Sequence, residues 1–222
     1  MGRLIVIEGL DGSGKSTQTE RLRSRLAESG AAFRHVKFPD YDDPSSILIK
    51  MYLSGEFGRA ADDVGAYAAT SFYAVDRFAS YKRYWGDFYR EGGIVLADRY
   101  TSSNAVHQAA KLPPEEWLPF LDWLYDYEYV KIGIPAPDLV IYLDMEVAVS
   151  QRLLATRYAG DERKKDIHER DTVYLERCRE AALFAARHGG WRVVPCCDGD
   201  ALRTVDDMAA DIWAAVEKAI LL

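Results

Sequence analysis

The chain has 222 residues, 49% of them hydrophobic and 28% charged, with a formal net charge of -7. A domain of this size buries roughly 70% of its unfolded surface, so one core is expected and long disorder is excluded. The acidic balance argues against coating nucleic acid, no apolar run nears the ~18 residues of a membrane span, and Cys178, Cys196 and Cys197 suggest neither a disulfide framework nor a zinc site.

Leu4 to Glu8 reads as a strand, and so little chain precedes it that no signal peptide is expected. With the cysteine usage, this points to a cytoplasmic location. Gly9-Leu10-Asp11-Gly12-Ser13-Gly14-Lys15-Ser16 then fits G-x-x-x-x-G-K-[ST], the pattern of a phosphate cradle. Its glycines let backbone N–H groups converge on one anion, which residues bearing side chains resist because φ > 0 costs them energy. Lys15 adds positive charge for the outer phosphates, and Ser16 offers a hydroxyl to Mg²⁺. Thr17 to Ser29 reads as a helix, with Leu22 and Leu26 four apart and Gly30 as its stop, so the anion also meets a helix N-terminus. Gly9 through Thr17 are therefore the expected nucleotide-binding residues. A glycine-rich turn matching by chance would not need this order of strand, loop and helix.

Phe33 to Phe38 can form a second strand, and the loop Pro39 to Pro44 is followed by a short helix to Leu53. Asp63 to about Tyr89 reads as one long helix ended by Gly92-Gly93, so ring-rich that much of it must face a core or a partner. Within it Tyr73 and Arg77 are four apart and share a face, either as a base-recognition pair or as core ring plus surface arginine. Ile94 to Ala97 reads as a buried parallel strand that delivers Asp98-Arg99-Tyr100 at its carboxyl end, where open α/β sheets place ligands. There Asp98 can bond Mg²⁺-bound water and Arg99 can fork onto a phosphate, unless the two form a structural ion pair.

Further on, Ser103 to Ala110 reads as a helical turn or two, Glu115 to about Tyr129 as a helix, and Leu139 to Asp144 as the clearest strand. Helices are expected over Glu146 to Tyr158 and Ile167 to His188, a fifth strand over Trp191 to Pro195, and a last helix capped by Thr204. Between Arg157 and Arg170 the chain is charged and poor in core residues, either a solvated loop or a cationic lid. A lid fits phosphoryl transfer, because positive charge is needed around the moving phosphoryl group. Five strands alternating with helices indicate a three-layer α/β fold with a parallel sheet.

Glu8 to Gln18, Phe38-Pro39, Tyr73-Ala74-Val75-Asp76-Arg77, Asp98-Arg99-Tyr100-Thr101-Ser102-Ser103-Asn104, Pro137 to Asp144 and Asp166 to Asp171, in that order, make the chain resemble thymidylate kinase nearly end to end. The resemblance implies a single P-loop kinase domain over 1–222, with a lid at about 157–168. It implies transfer of the γ-phosphoryl of Mg·ATP to dTMP in dTTP biosynthesis, by a homodimer. The alternative is a kinase for another nucleoside monophosphate or a deoxynucleoside.

By the same resemblance Asp11 would bond the deoxyribose 3′-hydroxyl, Arg99 would hold the dTMP phosphate, and Phe38 and Pro39 would line its site. Tyr73, where the family usually has Phe, would stack on thymine, with Arg77 at O4 and Asn104 at N3–H. Ser103 would support that wall, and Glu169 would face the sugar and Asp11. His107 stands where Phe or Tyr often blocks a ribose 2′-hydroxyl, and Asp40 to Asp43 stand where some members carry an Arg. The phosphate loop itself has no Arg, so Arg157 and Arg163 are the expected lid cations, with Lys15, Asp11, Asp98 and Arg99 completing the catalytic set. Adenine would lie over the turn near Asp198 to Ala201.

Overall fold

The computed structural model describes residues 1–58, 63–157, 172–199 and 201–220, with the backbone alone at Arg157. Five strands, β1 (Arg3–Gly9), β2 (Phe33–Lys37), β3 (Ile94–Asp98), β4 (Leu139–Asp144) and β5 (Arg192–Pro195), form one sheet in the order β2-β3-β1-β4-β5. All neighbours pair in parallel, with Ile7 opposite both Asp98 and Ile141.

The sequence of β1 explains its central place. Leu4, Ile5, Val6 and Ile7 are each 0% exposed, as a continuous apolar run must be when helices cover both faces. Alternation sends Ile5 and Ile7 to a layer with Leu22 and Leu26 of α1 (Lys15–Glu28) and Met208, Ile212 and Val216 of α9 (Val205–Ile220). Leu4 and Val6 face the other layer, with Trp85, Tyr89, Val95 and Tyr100. Burying each such side chain contributes roughly 1.5–3 kcal/mol, so these two layers dominate the packing energy.

The remaining helices are α2 (Ile47–Leu53), α3 (Ala66–Ser80), α4 (Gly86–Arg90), α5 (Thr101–His107), α6 (Trp117–Tyr125), α7 (Val147–Arg157) and α8 (Thr172–Gly189). The long ring-rich helix of the sequence reading is thus interrupted, because a π turn over Tyr81–Trp85 joins α3 to α4. Its wider winding accompanies Trp85, whose large ring is fully buried against Tyr81 and Tyr89. A second π stretch, Asp126–Ile132, extends α6 and carries the fully buried Glu128. The turn after β5 is a small antiparallel hairpin, β6 (Cys197–Asp198) with β7 (Ala201–Leu202), a pairing two-residue strands do not announce in sequence.

Candidate active site at the carboxyl edge of the sheet

β1 ends at Gly9, and the chain turns through residues 10–14 into α1. Gly12 and Gly14 both hold left-handed backbone, φ 82° and 83°, which an L side chain resists by about 1–2 kcal/mol. Gly14 is the N-cap of α1, so the turn aims the first N–H groups of the helix at one point. Gly12 has a second constraint: a Cβ there would lie 3.0 Å from the Ser150 carbonyl of α7. The resulting cleft, about 190 Å³, is lined by Asp11, Gly12, Gly14, Lys15, Ser16, Thr17, Leu153 and Leu154. Ser16 and Thr17 are exposed, whereas Ser13 and Lys15 are buried and Leu10 packs into the core below. Burial pushes the Lys15 ammonium below the usual lysine range, with Arg99 adding to this against Asp11, Glu8 and Asp98.

Two carboxylates and one guanidinium form a cluster that meets the cleft at Asp11. Arg99 follows β3 with φ 66°, the one non-glycine positive φ among the described residues. Its Nη2 donates to Asp11 Oδ1 at 2.9 Å and its Nη1 to Glu8 Oε1 at 3.2 Å. Glu8 is fully buried, and also accepts from Ser102 and Ser103 hydroxyls at 2.9 and 2.6 Å and from the Gly9 N–H. Burial alone would raise the Asp11 pKa, but the charges of Arg99 and then Lys15 hold its carboxyl well below the usual carboxylate range. Burial opposes the Arg99 charge, and Asp11, Glu8 and Asp98 more than offset it. Asp98, at the end of β3, is buried with no hydrogen-bond partner at Oδ1 among the described residues.

His107 Nε2 lies 3.2 Å from Arg99 Nη1. A guanidinium can only donate, so Nε2 accepts and the ring proton sits on Nδ1, which is 3.6 Å from Cys178 Sγ. Burial pushes the Cys178 thiol up to about 12, which leaves it a neutral neighbour.

Farther along the same edge, Arg77 is 1% exposed rather than the surface arginine its helical spacing also allowed. Its Nε and Nη2 fork onto Glu128 at 2.7 and 2.5 Å, and its Nη1 donates to the Tyr100 carbonyl at 3.3 Å. Burial would lower the Arg77 pKa, but Glu128 reverses it. Glu128 also accepts from the Thr101 hydroxyl at 2.7 Å and faces Asn104 Nδ2 at 3.4 Å. Tyr73 packs with Tyr52, Val64 and Ala69, and burial raises its phenol well above the usual range. Phe38 differs from a lining residue: its ring is buried against Tyr100, 5.8 Å between centroids, so it supports the site from beneath while Pro39 is half-buried.

The loop over residues 39–46 is tied to α3 and to the π turn that follows it. Asp76 accepts from the Asp40 N–H and the Ser45 hydroxyl, and Asp43 accepts from Arg83, Tyr84 and the Ser45 N–H. The carboxylates of Asp43 and Asp76 therefore hold the loop in position.

The structure joins Asp11, Lys15, Arg99, Ser103 and His107 in one cluster of ion pairs and hydrogen bonds, with Asp98 close enough to act on the charges of Lys15 and Arg99. Arg163 and Glu169 lie outside the described residues, as do the side chain of Arg157 and Asp200 of the expected adenine turn. Glu8 and Glu128 were missed by the sequence reading. A glutamate closing an apolar strand, and another inside an aromatic helix, are the signals that mark them as carboxylates in need of buried partners.

A family model described as thymidylate kinase matches residues 7–197. The thymidylate kinase of Mycobacterium tuberculosis is 33% identical over 200 residues, spanning 86% of this chain and 90% of that protein. The probable thymidylate kinase of Pyrobaculum calidifontis is 31% identical over 216 residues, spanning 97% and 96%. A solved thymidylate kinase from Candida albicans superposes with a TM-score of 0.69 at 24% identity, covering 99% of this chain and 93% of that one, which shows a shared fold. With the phosphate loop, the Asp98-Arg99 edge and these nearly coextensive matches together, this chain belongs to the thymidylate kinase family.

Proposed function

We propose that this chain phosphorylates dTMP to dTDP with ATP as donor, by direct transfer without a covalent enzyme intermediate. The observation that carries this reading is the joining of the phosphate loop to Arg99 through Asp11, which puts a donor-phosphate cradle beside a guanidinium suited to a second phosphate. Arg99 would take the dTMP phosphate bidentately, and Asp11, released from part of that pair, would accept from the deoxyribose 3′-hydroxyl. Lys15 and the N–H groups at the start of α1 would neutralise the donor's outer phosphates. Positioning and charge neutralisation supply most of the acceleration in this reaction class, so no general base of shifted pKa is required.

The exposed Ser16 hydroxyl and Asp98 Oδ1, which has no hydrogen-bond partner among the described residues, are hard oxygen donors of the kind Mg²⁺ accepts, directly or through water. When bound, Mg²⁺ would neutralise charge on the transferring phosphates. Arg157 and Arg163 are proposed as lid cations, Glu169 as a sugar-facing residue and His107 as the neighbour of the 2′ position. The exposed rings of Tyr67, Phe78 and Tyr84 on and just after α3 support a homodimer through that face, and the proposed location is cytoplasmic.

A coupled ADP-release assay across dTMP, dUMP, dCMP, dGMP and AMP tests the reading. Turnover should depend on the phosphoryl acceptor and favour dTMP; preference for any other member of the panel would overturn it.

A further inference from the structure

The buried carboxylate of Glu128 has no place in phosphoryl transfer, yet it holds both residues assigned to the base. It takes two N–H groups of Arg77 in a fork and stands 3.4 Å from Asn104 Nδ2. That last contact decides which way the Asn104 amide faces. Turned over, the amide would set its oxygen against a carboxylate oxygen and against the Thr70 carbonyl, which Nδ2 also approaches at 3.5 Å. The side chain therefore keeps its NH₂ end toward Glu128, which leaves its carbonyl to accept from a ligand.

Arg77 is constrained in the complementary sense. Glu128 and the Tyr100 carbonyl occupy three of its five N–H donors, and a guanidinium offers no acceptor in any orientation. The pair thus presents one acceptor and one donor. A pyrimidine with a 4-oxo group and a protonated N3 matches both, whereas cytosine, with its 4-amino group and bare N3, opposes both.

We propose that Glu128 is a positioning residue that sets the choice between 4-oxo and 4-amino pyrimidine acceptors, by fixing the Asn104 amide and the Arg77 fork. This rests on the reading that Arg77 and Asn104 meet the base. Thr101, whose hydroxyl donates to Glu128 Oε2 at 2.7 Å, is the third support of the arrangement.

The test compares kcat/KM for dTMP and dCMP in the wild type and in Glu128→Gln. A glutamine can turn its own NH₂ toward Asn104 and allow that amide to invert, so the dTMP-over-dCMP preference should fall by about 10-fold or more, with the KM for ATP unchanged. Equal losses on both acceptors, leaving the ratio unchanged in a folded variant, would reduce Glu128 to a structural ion-pair partner and overturn the proposal. If Glu128→Gln does not fold, Thr101→Val decides: it loosens the carboxylate without removing a charge. A ratio lowered by about 3-fold supports the proposal, and an unchanged ratio overturns it. Asn104→Ala separates the two layers of the argument. If it leaves the KM for dTMP unchanged, the base-reading assignment fails and takes the proposal with it; if it impairs dTMP while Glu128→Gln keeps its selectivity, the role of Glu128 alone is lost.

Discussion

Asp11 Oδ1 and Arg99 Nη2, 88 positions apart in the chain, lie 2.9 Å from each other and join the phosphate loop to the end of β3. The two partners differ in accessibility, with side chains 40% and 16% exposed. Partly exposed pairs of this kind contribute only about 0–1 kcal/mol, so an incoming phosphate can replace Asp11 at little cost. The Glu8 side of Arg99 is different: that carboxylate is buried, and Ser102, Ser103 and the Gly9 N–H hold it in place. Of its two carboxylate partners, Arg99 therefore has one to exchange and one that anchors it.

Replacing Arg99 by alanine should lower kcat/KM for dTMP by about 10²-fold or more, while binding of a non-hydrolysable ATP analogue changes by less than about 3-fold. Steady-state kinetics and calorimetric titration of the same variant check the two halves. Full turnover in Arg99→Ala would remove the phosphate clamp from the mechanism.

Gly12 and Gly30 offer a matched pair. Both hold positive φ, at 82° and 73°, but a Cβ on Gly12 meets α7 whereas one on Gly30 meets open space. Gly30→Ala should cost about 1–2 kcal/mol of stability from strain alone, with nucleotide binding intact. Gly12→Ala should cost more and also weaken nucleotide binding, because α7 or the phosphate loop must shift. Thermal denaturation with and without ATP analogue separates them, and equal behaviour would exclude the close approach as a constraint.

Asp43 makes stability depend on acid pH. The hydrogen bond from Tyr84, followed by that from the Ser45 N–H, lowers its carboxyl from 3.8 to about 2. The folded value lies below the unfolded one, so the stabilisation is fully present above about 4 and is lost as pH falls towards 2. Asp43→Asn should therefore be less stable than wild type by a constant amount above about pH 5, and the difference should shrink through that acid window. Denaturant midpoints measured at pH 2 to 6 check this, and a gap independent of pH would refute it.

How far the sequence foretold this arrangement differs by residue. Leu139–Asp144 was legible to its ends because an apolar run closed by a charged residue has one good solution in a parallel sheet. The phosphate loop was legible because its meaning lies within eight consecutive residues. Glu8 and Glu128 were not, since their partners lie 91 to 95 and 24 to 51 positions away and only the folded sheet edge gathers them. Arg77 was singled out by its helical spacing from Tyr73, but its burial could not be read without knowing that a carboxylate awaited it. The π turns at Tyr81–Trp85 and Asp126–Ile132 were hidden for a related reason, since an aromatic helix looks the same with or without one extra residue in a turn.

The left-handed backbone at Arg99 bears on how freely this site can be redesigned or can drift. Glycine, asparagine and aspartate are the residues that best tolerate φ near 66°, and none of them carries a positive charge. Any substitute that keeps the cation also keeps the strain, and any that relieves the strain gives up the cation. Lysine would keep a permanent cation at this position, but it brings a single point charge where the present guanidinium brings a fork.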